Sequence, residues 1–234
     1  VNDSLQDVLS TRLKSEWQSN PAMHQIVDGY ARFHAALAIV GGVFLLILVA
    51  LCVASWIRFK KIPKISKFKW SFEKKVYFWF GTVFTIVSLF LTLIVAANIS
   101  NAAKPLPGFS DSIPSMASSS YNAQLHSAFN NWIASGNEAP PSLVQQRIHE
   151  RRVFHGTRAA IAIILLIIFA VTSMRLWGEL IKRRNSTETK WSFKEIVWLI
   201  TGIVTVAIVV LMMIVVMANL QSVIAPIANT LQFG

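Results

Sequence analysis

Four apolar runs decide what this chain can become. They cover roughly Ala35–Ile57, Val76–Ile99, Thr157–Leu176 and Ile196–Leu220. Each has about 20 residues or more, the length an α-helix needs to cross ~30 Å of hydrocarbon. No Asp, Glu or Lys interrupts them, and Arg158 stands one residue in from the start of the third. A buried soluble helix could explain one such run, but the explanation would have to be made four times over. Only 14% of the 234 residues are charged, against about a quarter in ordinary soluble domains. The sequence therefore reads as an all-α integral membrane protein with four transmembrane helices. It excludes a soluble enzyme and a nucleic-acid-binding domain, despite a formal charge of +11.

The basic residues set the expected direction of the spans. Between the first two runs lie Arg58, Lys60, Lys61, Lys64, Lys67, Lys69, Lys74 and Lys75, opposed only by Glu73, a net +7. At the end of the third run and between the last two lie Arg175, Lys182, Arg183, Arg184, Lys190 and Lys194 against Glu179, Glu188 and Glu195, a net +3. The positive-inside rule puts both short connections in the cytoplasm, and both termini and the 100–153 segment outside a plasma membrane. A removed signal peptide or a translocated short tail would give the same outer N-terminus. Trp56, Trp70, Trp177 and Trp191 fall at the expected cytoplasmic ends, where amphipathic indoles anchor at headgroup level. The expected partners are thus the bilayer itself and anionic lipid headgroups drawn to the basic loops.

The chain also repeats itself at an offset of 121 residues. Phe33-His34 returns as Phe154-His155, Trp56 as Trp177, Lys69-Trp70-Ser71-Phe72 as Lys190-Trp191-Ser192-Phe193, Gly81 as Gly202, Asn98 as Asn219 and Pro105 as Pro226. Ungapped from Phe33 to Pro105, 18 of 73 positions are identical. Shared Leu and Val would say little; matched His, Trp, Lys, Ser, Asn and Pro are not a product of apolar composition. Two units are expected, residues 1–106 and 107–234. Each is a hairpin of spanning helices with an outer helical segment, the second about 108–153. Because both have one orientation, their pseudo-two-fold axis should run along the membrane normal, and the hairpins should form a four-helix bundle.

Within the repeated Lys-Trp-Ser-Phe element, Ser71 and Ser192 stand where helices begin and can accept a bond from an unpaired backbone N–H. Glu195 follows Ser192 at the capping-box spacing. Trp70 and Trp191 anchor at the interface, and Lys69 and Lys190 stay in the cytoplasm.

The five histidines all fall on the expected outer side, and His34 and His155 are repeat mates. Below His34 on one helical face lie Ala38, Gly41 and Gly42; below His155 lie Ala159 and Ala162. Small stripes let membrane helices approach closely. Packing of the first and third spans along them would bring the two histidines together, as polar caps, a proton switch or a shared metal site. No cofactor is otherwise expected; haem between helices ~8–10 Å apart lacks room, although another histidine pair leaves haem open. Arg158 should reach the outer headgroups or meet an anionic ligand near His155.

The second span carries Gly81, Thr85, Ser88 and Thr92 at helical spacing, read as interhelical packing or as a wetted path. No carboxylate lies within a span, and there is no P-loop, HExxH or GxSxG motif. One cysteine, Cys52, excludes a disulfide framework. Outside the spans, Leu125, Phe129 and Trp132 form an apolar stripe, as do Leu5, Val8, Leu9 and Leu13 with Trp17 beyond. Residues 108–120 read as Ser/Pro-rich and non-helical ahead of that stripe. The short helices should pack into a small extracytoplasmic cap or against a partner. The leading expectation is a non-enzymatic subunit, accessory or scaffold of a larger membrane complex, with homo- or hetero-oligomeric partners. The alternatives are an oligomeric channel or transporter component, and a redox or metal-handling protein using the outer histidines.

Overall fold

The computed structural model describes residues 5–15, 17–64, 70–117, 123–186 and 191–233. Among them every regular element is helical: α1 (Leu5–Ser15), α2 (Pro21–Lys61), α3 (Phe72–Ala103), α4 (Pro105–Ala117), α5 (Ala123–Ser135), α6 (Ser142–Ser186), α7 (Phe193–Ile224) and α8 (Pro226–Phe233). Four of these, α2, α3, α6 and α7, are long and apolar enough to cross a membrane. With 41 residues, α2 is about 60 Å long, twice a hydrocarbon core. Hydropathy marks only the part of each helix that matches the bilayer, and the polar extensions continue the same helix.

The described residues form two compact units. The first comprises Val1–Val40, Val95–Ala159 and Met217–Gly234. Its core is that of a soluble helical protein. Leu9, Met23, Phe109, Leu125, Phe129, Trp132, Val144 and Leu231 are all at most 2% exposed, with Tyr30 and Ile113 packed among them. Helix α1 lies on α4 and α5, and α4 on α8. The stripe Leu125, Phe129 and Trp132 is wholly buried here. Val8 and Leu13 are partly buried against the same core. The turn into α6 is fixed by named groups. Gly136, at φ +65°, ends α5 in the left-handed region, with its N–H donating to the Trp132 carbonyl at 3.1 Å. The buried Asn20 caps α2 by accepting from Met23 N–H at 3.1 Å, and its amide donates to the Ile133 carbonyl at 2.9 Å.

Helix α4 corrects the reading of residues 108–117 as non-helical. Pro105 and Pro107 sit in its first turn, where a missing N–H leaves no bond unmade. Phe109 and Ile113 then fall one turn apart and are buried in the core, so tertiary burial overrides a composition rich in Ser and Pro. Pro226 opens α8 in the same way that Pro105 opens α4.

The second unit comprises Gly41–Ile94 and Ala160–Val216. Its exterior is apolar: Leu46, Phe90 and Leu93 are each at least 70% exposed. Such a surface fits hydrocarbon, not water. Polar groups here bond within or between helices. Ser55 Oγ donates to Leu51 O at 2.7 Å, and Lys74 Nζ donates to Phe59 O at 2.8 Å and to Ile62 O. The latter pair satisfies carbonyls at the C-terminal end of α2, where a cation also meets the negative end of the helix dipole.

Candidate functional site

The polar side chains of the long helices come in related sets. His34, on α2, pairs through Nδ1 with Asn98 Oδ1 of α3 at 2.7 Å; His155, on α6, pairs through Nδ1 with Asn219 Oδ1 of α7 at 2.9 Å. Each interval is 64 residues, and the two pairs stand 121 residues apart. With an amide oxygen facing the ring, Nδ1 carries the hydrogen and donates, whether the ring is neutral or protonated at Nε2 as well. The bond therefore ties two helices together in either charge state. Asn98 and Asn219 are only 8% exposed, so their oxygens need a donor that water does not readily supply.

Sequence reading matched the two asparagines without giving them a role, and it expected His34 to meet His155. Each histidine takes an asparagine as its Nδ1 partner. The signal was available in the common 64-residue interval between His and Asn in both pairs. Tyr30 lies edge-on to His34 at 4.4 Å between ring centroids, and Phe154 edge-on to His155 at 5.2 Å. Arg158 places its guanidinium 4.0 Å from the Phe154 centroid. Among the described residues no group of three His, Cys, Asp or Glu side chains gathers as a metal site would require.

A second set lies toward the other end of the spans. The ring of Trp56 lies on Gly81, and that of Trp177 on Gly202. A Cβ added at those glycines would sit 2.8 Å and 3.0 Å from the Cε2 atoms. Each indole finds an acceptor, and the local sequence decides which. Trp56 Nε1 donates to Thr85 Oγ1 at 3.2 Å, while Val206 stands 121 residues further on, and Trp177 Nε1 donates to the Gly202 carbonyl at 3.2 Å. Thr85 in turn donates to Gly81 O at 2.7 Å, and Thr92 to Ser88 O at 2.8 Å. The hydroxyl stripe of α3 is thus largely returned to its own helix.

The expected small-residue contact needs correcting at Gly42, where an added Cβ would meet nothing within 4 Å. Ala159 and Ala162 are buried at 3% exposure, Gly41 is buried and Ala38 half-buried. Close approach belongs to Gly81 and Gly202, because a glycine matters where a neighbour presses on it, not where small residues merely recur.

At the start of α3, Ser71 Oγ accepts from Lys74 N–H at 3.2 Å. At the start of α7, Ser192 Oγ accepts from Glu195 N–H at 3.3 Å, and Glu195 Oε2 accepts from Ser192 N–H at 2.9 Å, a reciprocal box. Arg184 lies 3.7 Å from Glu195 and over the ring of Trp191 at 4.7 Å. Trp70 packs edge-on to Phe59 and Phe78 at 5.2 and 5.3 Å. Lys69 and Lys190 lie outside the described residues. No protein-family model matches the sequence, and no curated protein or solved structure shows significant similarity to it.

Proposed function

We propose that this chain is a non-enzymatic subunit or accessory of a larger membrane complex. It would be built from two tandem hairpins around a pseudo-two-fold axis along the membrane normal. The basic connections face the cytoplasm, and the first unit's short helices form an outer cap. The observation that carries this reading is how the interhelical polar groups are used. His34, Asn98, His155, Asn219, Trp56 and Trp177 each hold one helix to another or a ring to a helix carbonyl. Together they support a rigid frame, with the soluble-type core of the first unit as a ready protein-binding module. The α3 hydroxyls bonded to their own helix leave less for a wetted path, which favours this reading over a channel component.

Mild-detergent purification of the full chain from its native membrane, followed by mass measurement of the intact particle, tests the role. A defined assembly containing a larger partner in fixed ratio is the expected result. A closed ring of this chain alone would replace the proposal with the channel reading, and a bound chromophore or stoichiometric metal with the redox one.

Orientation is tested separately. Single cysteines replacing the exposed Lys64 and Glu138 in a Cys52→Ser background should differ toward an impermeant thiol reagent on intact cells. Labelling is expected for Glu138→Cys and not for Lys64→Cys; the opposite pattern inverts the topology.

A further inference from the structure

The second unit holds an apolar groove. It has a volume of about 530 Å³, within the roughly 300–1,000 Å³ of ordinary ligand sites. Trp79, Phe80, Trp177, Trp191 and Leu199 line it, with Lys75 as its charged member. At the matching positions of the first copy, rings pack on one another. Phe78 packs 5.3 Å from Trp70, 5.6 Å from Phe59 and 5.9 Å from Trp56. One repeat interval along, Trp177 and Trp191 are retained, but Phe59 is replaced by Leu180 and Phe78 by Leu199. Leu199 lines the groove, while Leu180 is buried at 1% exposure; Trp177 keeps an edge contact to Phe80 at 5.0 Å and Trp191 one to Phe72 at 5.3 Å.

Charge is distributed just as unevenly. Lys75 is exposed, whereas its counterpart one interval on is Ile196. An apolar groove walled by indoles, with Lys75 among its lining residues, complements a molecule that has an acyl chain and an anionic head. A wholly apolar partner helix would use the apolar wall but leave Lys75 unmatched.

We propose that this groove is a binding site for one anionic phospholipid of the bilayer. An acyl chain lies against Trp79, Trp177 and Leu199, and the phosphate lies on Lys75. The proposal rests on the membrane orientation given above only for the leaflet, which would be the cytoplasmic one.

Native mass spectrometry of the full chain in detergent, titrated with phosphatidylglycerol or phosphatidylcholine, tests the site without reference to orientation. A failure there strikes the groove, and a failure of thiol labelling strikes the topology. One phosphatidylglycerol is expected to bind more tightly than phosphatidylcholine. Lys75→Gln, at an exposed position, should weaken that first lipid about fivefold and leave phosphatidylcholine unchanged. Leu199→Phe should restore the ring found in the first copy and remove the tight site for both lipids while Lys75 remains. Equal binding of the two lipids, or retention of the tight phosphatidylglycerol in both variants, would overturn the proposal. Unchanged melting of each variant in lipid-free detergent shows that the loss is one of binding, not of fold.

Discussion

Gly81→Leu is expected to lower the stability of the detergent-solubilised protein by about 1–3 kcal/mol, the usual cost of overfilling a packed site. A Cβ at this position would stand 2.8 Å from Cε2 of Trp56, closer than non-bonded carbons tolerate. The indole is not free to swing aside. Its Nε1–H is held by Thr85 Oγ1 at 3.2 Å, and its ring meets Phe59 and Phe78 edge-on at 5.6 and 5.9 Å. Moving it would cost a hydrogen bond in a place with little water to replace it. Gly202→Leu should be somewhat milder, because the corresponding approach to Trp177 is 3.0 Å and the flanking residues there are leucines. Gly42→Leu is the control. Nothing lies within 4 Å of its added Cβ, and replacing a mid-helix glycine removes a backbone-entropy penalty of roughly 0.5–1 kcal/mol. The midpoint of thermal aggregation in one detergent should fall for Gly81→Leu and hold or rise for Gly42→Leu. A reversed order would mean that close helix approach follows the small-residue stripe after all.

That contrast also marks what the sequence can disclose. The spans were legible because hydrocarbon thickness imposes a length and a composition on every crossing segment. The caps at Ser71 and Ser192 were legible because capping is local, a matter of three residues. Gly81 and Gly202 were visible as repeat mates, but nothing along the chain says that Trp56 and Trp177 lie on them. That depends on the rotation of one helix against the next, and apolar helices in lipid carry almost no polar face to report it. Helix α4 was hidden for another reason. Pro and Ser usually interrupt helices, and only burial of Phe109 and Ile113 shows that this segment is held in one. The groove beside Lys75 was out of reach altogether. Its lining draws on α3, α6 and α7 at once, and no pattern along the chain reports which faces of three helices border one space.

Trp132→Ala should have the largest effect of any single change in the first unit. The side chain is 1% exposed and sits among Phe129, Leu125 and Ile133. Its Nε1–H donates to the Asn137 carbonyl at 2.8 Å, which holds the turn that Gly136 opens. Truncating a buried aromatic costs about 3–5 kcal/mol through lost transfer energy and the cavity left behind, and here the Asn137 carbonyl loses its donor as well. That is a large share of the roughly 5–15 kcal/mol available to a typical domain. The second unit has its own contacts, and its long helices satisfy their backbone groups internally, so hydrocarbon keeps them folded when the first unit fails. The expected outcome is therefore selective. In limited proteolysis of the reconstituted protein, α1, α4 and α5 should become cleavable in Trp132→Ala under conditions where the native chain resists, while the fragments carrying Gly41–Ile94 and Ala160–Val216 persist. Asn131→Ala, on the exposed side of the same helix, should behave as native. If both units of Trp132→Ala were digested together, the two would be a single cooperative structure. If neither were, the aromatic core of the first unit would not be what holds its short helices in place.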